Sequence, residues 1–304
     1  MTERIAYDEL ALFHENAEEY GIPWNGPPVV ARTAVEVDRP SGRAVSALLW
    51  GTTSPEIVFV HGGAQNAHTW DTVALALARS ALAVDLPGHG HSGWRDDLAY
   101  SPVTNAEDIA VAIEHLAPSA AVVVGMSLGG LTSIALASRR PDLVRRLILV
   151  DVTPGVDRGK AKAILDFVNG PQTFPSFADI LQRTIEHNPT RTEASLRRGI
   201  LHNAHQLDDG SWAWRYDRRH RGGEGETDLV ERIESNPLWD DLSAITAPIL
   251  LLRGSLSPVV DDNDVAEVKR RQPTAEVVVV DGAGHSIQGD KPLELAALVT
   301  RFAF

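Results

Sequence analysis

One serine in the chain stands where chemistry is easy to build. Ser127 lies in Gly125-Met126-Ser127-Leu128-Gly129-Gly130, directly after the apolar run Ala121–Val124 and directly before a helical pattern over 128–139. A serine on a sharp strand-to-helix turn is held exposed, and the flanking glycines leave room for the turn and for close strand–helix packing. The helix N-terminus favours the negative charge that develops during acyl transfer. A serine hydroxyl is a poor nucleophile at neutral pH and needs a base. Of the 11 histidines, His285 is placed for that work, in the Gly-rich loop Asp281-Gly282-Ala283-Gly284-His285 after the apolar run Val277–Val280. His202, His205 and His220 lack metal-ligand spacing and read as polar surface or pocket residues.

The elements that must carry these side chains alternate along the chain. Residues 8–20 read as a short amphipathic helix, broken over 21–28 by Gly21, Pro23, Gly26, Pro27 and Pro28. Two strands, 34–37 and 45–50, join near Pro40-Ser41-Gly42. Ile57–Val60 is a wholly apolar β-branched run, as expected of a strand covered on both faces. A helix at 69–79, a strand at 81–84 and a helix at 105–117, capped by Thr104 or Asn105, precede the serine. A strand at 147–150 follows it. The rhythm fails between about 155 and 240, then resumes with a strand at 249–252, a helix at 262–271, the strand 277–280 and a helix at 291–303. The order predicts an α/β fold with a doubly wound, mostly parallel sheet. The expected domains are an N-terminal helical extension (1–29), a core (30–154 and 241–304) and a helical lid (155–240).

Composition narrows the partners. With 43% hydrophobic residues over 304 positions, a sizeable core can form. Lys and Arg total 28 against 41 Asp and Glu, a net charge of −13, which disfavours nucleic acid and anionic membranes. The absence of cysteine excludes thiolate catalysis and disulfides. There is no signal-peptide pattern and no apolar run near the roughly 20 residues that span a bilayer. The expectation is a cytoplasmic monomer or homodimer acting on a small molecule, with no metal or cofactor. The one compositionally biased stretch is at 218–226.

Four blocks together resemble the α/β-hydrolase family, in its branch with a lid after the sixth strand: Val60-His61-Gly62-Gly63-Ala64, Asp85-Leu86-Pro87-Gly88-His89-Gly90-His91-Ser92, the serine turn, and the loop ending at His285. The resemblance covers roughly residues 30–304. It implies an acyl-enzyme mechanism with Ser127 as nucleophile and His285 as base, and an oxyanion hole from the N–H groups of Gly63 and Leu128. It also implies structural roles for His61, His89 and His91. One departure stands out: the family's usual acid position, three residues after Gly254, holds Ser257. Some members take the acid from the end of the sixth strand, which here is Asp151. Asp261 and Asp262 are rivals, though both sit where a helix cap is expected.

The pocket is expected near Gln65 and Asn66, with Trp212 and Trp214 of the segment Asp209–Asp217, which resembles a turn-and-strand signature of lidded members. The aromatics Phe167, Phe174, Phe177, Trp212, Trp214, Tyr216 and Trp239 read mainly as lid anchors. Arg183, Arg191, Arg197 and Arg198 read as a solvated helix face, with contact to a substrate carboxylate as the alternative. The expected function is hydrolysis of a carboxylic ester with an apolar acyl or aromatic part. C–C bond or lactone hydrolysis by the same Ser-His-Asp machinery is the enzymatic alternative, and a non-catalytic ligand-binding protein on this fold is the alternative of another class.

Overall fold

The apolar runs become the middle of one sheet. The computed structural model describes residues 4–157, 159–219 and 237–304. Its large sheet is built from β1 (Val30–Asp38), β2 (Arg43–Trp50), β3 (Ile57–Val60), β4 (Ala81–Val84), β5 (Val122–Met126), β6 (Leu147–Val150), β10 (Ile249–Gly254) and β11 (Glu276–Val280). The strand order is β1-β2-β4-β3-β5-β6-β10-β11. The β1/β2 and β2/β4 pairs are antiparallel and the rest are parallel.

Every residue of β3, β4, β5 and β6 is buried, because helices cover both faces. Successive side chains go to opposite faces. Ile57 and Phe59 join a core with helices α1 (Phe13–Tyr20), α2 (Asp71–Leu77) and α11 (Pro292–Ala303). Val58 and Val60 join the opposite core with α3 (Pro102–Leu116), α4 (Leu128–Arg139) and α8 (Leu238–Ala244). Each such side chain contributes about 1.5–3 kcal/mol on burial.

The structure moves several expected boundaries. The helix expected from residue 8 begins only at Phe13, while Tyr7 and Leu12 before it pack against the cluster of the small sheet. The helix expected at 105–117 starts at Pro102. Its cap is Ser101, whose Oγ accepts from the Thr104 N–H at 3.1 Å while Thr104 Oγ1 accepts from the Ser101 N–H at 2.9 Å. Thr104 is thus the third helical residue of a capping box, and Pro102 sits where a missing N–H costs nothing.

Between β6 and β10 the chain leaves the sheet. It forms α5 (Lys162–Val168), β7 (Thr173–Phe174), α6 (Phe177–His187), α7 (Glu193–Asn203), β8 (Ala204–Gln206) and β9 (Trp212–Trp214). The three short strands make a small antiparallel sheet in the order β7-β9-β8. Most of the 218–226 stretch, and His220, lie outside the described residues. No helix among the described residues is long and apolar enough to cross a membrane.

Candidate active site

Strand register brings the chemistry to one edge of the sheet. Met126 of β5 is level with Val150 of β6, so Ser127 and Asp151 leave neighbouring strands at the same height. Val150 is level with Leu252 of β10, and Gly254 with Val280 of β11, the strand that leads to His285. All of these lie at the carboxyl ends of the strands, where α/β sheets place their sites.

Ser127 has φ 50° and ψ −123°, outside the usual regions for a residue with a side chain. Such backbone costs about 1–3 kcal/mol and persists only when its surroundings enforce it. They do so here. The Ser127 N–H donates to the Val150 carbonyl at 3.3 Å, and α4 begins at the next residue. Gly129 lets that helix lie against β3: a Cβ there would meet the Val60 carbonyl oxygen at 2.2 Å and that of His61 at 2.4 Å. Gly62 is equally confined, with a Cβ position 3.1 Å from the Ser127 Cβ.

His285 Nδ1 lies 2.8 Å from Asp151 Oδ2. Asp151 is fully buried and also has a positive φ, 51°. Its Oδ1 accepts from the Gly254 N–H at 2.9 Å, and its Oδ2 also accepts from the Ser257 hydroxyl at 2.5 Å. The other two acids are elsewhere. Asp261 caps α9 (Asp262–Arg271) in a capping box with Asp264, and Asp262 is exposed beside Arg253. With Nδ1 turned to Asp151, His285 Nε2 faces away from it and has no hydrogen-bond partner among the described residues, although it is buried. Ser127 and His285 line the same cavity, of about 360 Å³.

Gly63 and Leu128 line that cavity too, and they adjoin: a Cβ on Gly63 would lie 3.8 Å from Leu128 Cδ2. The Leu128 N–H is the first of its helix and has no acceptor within it. Beneath them His61 is fully buried. Its Nε2 accepts from the Leu86 N–H at 2.9 Å and its Nδ1 lies 2.7 Å from the Gly62 carbonyl. Burial pushes its pKa down to about 4, so the ring is neutral and ties the β3 loop to the β4 loop.

Residues 57–298 match the model of the alpha/beta hydrolase family. The chain belongs to that family. It is 47% identical over 304 residues to the esterase Rv0045c of Mycobacterium tuberculosis, covering 98% of this chain and 96% of that protein. A crystal structure of that esterase superposes with a TM-score of 0.82 at 46% identity, covering 99% of both chains. The 2-(acetamidomethylene)succinate hydrolase of Mesorhizobium japonicum is 28% identical over 82% of this chain and 88% of its own length. The mouse sn-1-specific diacylglycerol lipase ABHD11 is 29% identical over 87% and 86%. The protein is therefore a hydrolase enzyme.

The walls of the hydrolase's cavity come from both parts of the chain. Leu131, Val152 and Val156 line it together with Ile164, Phe167 and Val168 of α5. Of the expected pocket residues, Gln65 lines it, with Oε1 accepting from the Gly62 N–H at 3.1 Å. Asn66 does not. It caps the turn at Ala67–Trp70 and donates to the His202 carbonyl at 3.0 Å. Asn66 and Trp214 line a smaller cavity beside this one, and neither Trp212 nor Trp214 lines the larger. The two tryptophans are core residues of the small sheet, where Trp212 meets Phe177 at 5.0 Å and Trp214 meets Phe174 at 5.9 Å between ring centres. Trp239 stands apart from this cluster, against Arg271.

Three sequence readings are narrowed or changed by the structure. Of the two places expected for His202, surface or pocket, the structure gives the second: it is buried, lines a cavity of about 130 Å³ and stacks on His68, ring centres 3.8 Å apart. Arg198 is not on a solvated face, being buried and paired with Glu19 of α1. Arg191 is only partly exposed and lines the Ser127 cavity. The sequence reading also missed Ser257 as a partner of Asp151. Its place at the family's usual acid position was the available signal.

His68, Asp71 and His202 bring nitrogen and oxygen atoms close enough to consider a metal. The geometry does not suit one. The two rings are stacked only 8° from parallel, so an ion in the plane of one lies off the plane of the other, and His68 Nδ1 is already 2.8 Å from Asp71 Oδ2.

Proposed function

We propose that the protein is a serine esterase in which Ser127 is the nucleophile, His285 the general base and acid, and Asp151 the group that orients His285. The observation that carries this reading is the bond of His285 Nδ1 to buried Asp151, with Nε2 left without a partner among the described residues and with His285 and Ser127 lining one cavity. Ser127 Oγ attacks the ester carbonyl as Nε2 takes its proton. The imidazolium is stabilised through Nδ1–H by the Asp151 carboxylate. The developing oxyanion is held by the N–H groups of Gly63 and Leu128. Nε2 then returns the proton to the departing alcohol. Water repeats the cycle on the acyl-enzyme and releases the acid.

The 47% identical relative bears the name esterase, and this supports an ester as the bond cleaved. A mostly apolar cavity of about 360 Å³ suits a small or medium substrate molecule. In this reading residues 155–240 act as a lid, and α5 closes the acyl side of the cavity.

Hydrolysis of p-nitrophenyl esters of increasing acyl length tests the proposal. We expect turnover with a short-to-medium optimum in the wild type, and its loss in Ser127→Ala. Folded wild-type protein inactive on every ester would contradict it.

A further inference from the structure

We propose that Arg191 is an anion-binding residue that selects substrates carrying a carboxylate. The inference rests on the esterase reading and deepens it. Arg191 precedes α7 and lines both the Ser127 cavity and a smaller polar cavity of about 130 Å³ beside it. Its guanidinium lies flat on the backbone of Gly289, where a Cβ would be 2.9 Å from Cζ. Nη2 donates to Ser195 Oγ at 2.5 Å, while Nε is buried without a hydrogen-bond partner.

No carboxylate among the described residues pairs with Arg191, and the nearby acids are committed elsewhere. Asp290 accepts from the Gly284 N–H at 2.8 Å and from the Thr190 hydroxyl at 2.9 Å. Glu19 is held by Arg198 and Thr192. Lys160, also in the cavity wall, differs in being paired with Asp264 at 2.7 Å and Asp261 at 3.1 Å. A guanidinium partly withdrawn from water, with Asp290 and Glu19 nearby but no carboxylate bonded to it, bears a cost of desolvation. A carboxylate entering the cavity would remove that cost and match the planar fork of donors.

The test compares mono-p-nitrophenyl glutarate, an anionic ester, with neutral p-nitrophenyl valerate. The proteins are the wild type, Arg191→Gln, Arg191→Lys, and Arg197→Gln as an exposed charge control in α7. Calorimetry of glutarate binding to the same proteins supplies a readout that needs no turnover. In Arg191→Gln the anionic-to-neutral ratio of kcat/KM should fall about tenfold or more, mostly through KM, with glutarate binding weakened in parallel. Arg191→Lys should recover part of both, and Arg197→Gln should match the wild type. Esters hydrolysed with the same ratio in all four proteins, or glutarate binding indifferent to Arg191, would overturn the inference and leave the esterase reading standing. Glutarate binding that depends on Arg191, with neither ester hydrolysed, would sink the esterase reading and keep the anion site.

Discussion

At the scale of the residue, the candidate site depends on one carboxylate held by three donors. Asp151 accepts from Gly254, Ser257 and His285 with its side chain fully buried. A carboxylate so held orients the imidazole and keeps its proton on Nδ1. Replacing Asp151 by Asn presents an N–H to His285 in place of an acceptor and favours the wrong tautomer. We expect Asp151→Asn to lower kcat on an ester about 10³- to 10⁴-fold, and Asp262→Asn to leave it near the wild-type value. Steady-state kinetics on one p-nitrophenyl ester decides between them, and the reverse pattern would reassign the acid. Ser127 and His285 were legible because each sits in a short block beside an apolar run. Asp151 was legible only as one of three carboxylates, since its partners come from residues more than 100 positions away in the chain. Arg191 was legible only as one of four arginines that could meet a substrate carboxylate, and the burial of Arg198 was not legible. A helix pattern shows which residues share a face, and cannot show that Glu19 waits opposite Arg198.

At the scale of the element, the serine turn works because α4 can approach β3. Gly129 is the point of closest contact, where an added Cβ meets two backbone carbonyls rather than a flexible side chain. Gly129→Ala should destabilise the fold by about 2–3 kcal/mol and displace Ser127, visible as a lower urea midpoint together with lost turnover. An unchanged midpoint would show that the helix can shift freely. The buried strands were easy to read, because a strand covered on both faces has few sequences open to it. Helix starts were harder. Ser101-Pro102 marks the start of α3 more firmly than Thr104, but the capping box depends on a reciprocal pair of bonds that residue type alone leaves open. The segment between β6 and β10 was legible in its aromatics and not in their use. Trp212 and Trp214 fill the small sheet's own core, since large side chains there must first bury themselves.

At the scale of the whole molecule, a buried polar network ties the N-terminal segment to both the sheet and α7. Glu9 bonds Arg32 and His68, Tyr7 Oη lies 2.8 Å from His202 Nδ1, and His68 Nδ1 lies 2.8 Å from Asp71. Burial by itself would push the His68 pKa down, but Asp71 and Glu9 outweigh it and hold the value up at about 9. Burial and the neighbouring His68 push His202 well below the usual range, so one ring of the stack is charged and the other neutral. A histidine with a raised folded pKa binds its proton more tightly when folded. Its contribution is therefore full below the unfolded value of about 6.5 and is lost as pH rises towards 9. His61 works in the other direction: kept neutral down to about 4, it costs stability as pH falls below its unfolded value. We expect the urea midpoint to fall between pH 6.5 and 9, and His68→Gln to flatten that fall. A wild-type midpoint flat over the window would contradict the charged state of His68.

The central claim is that Ser127 attacks, with His285 as its base, and intact-mass spectrometry after treatment with a fluorophosphonate tests it most directly. The account predicts a single adduct, mapped to the peptide carrying Ser127, and its absence in Ser127→Ala. Labelling should be strongly slowed in His285→Ala. An adduct on another residue, or labelling that persists undiminished in Ser127→Ala, would contradict it.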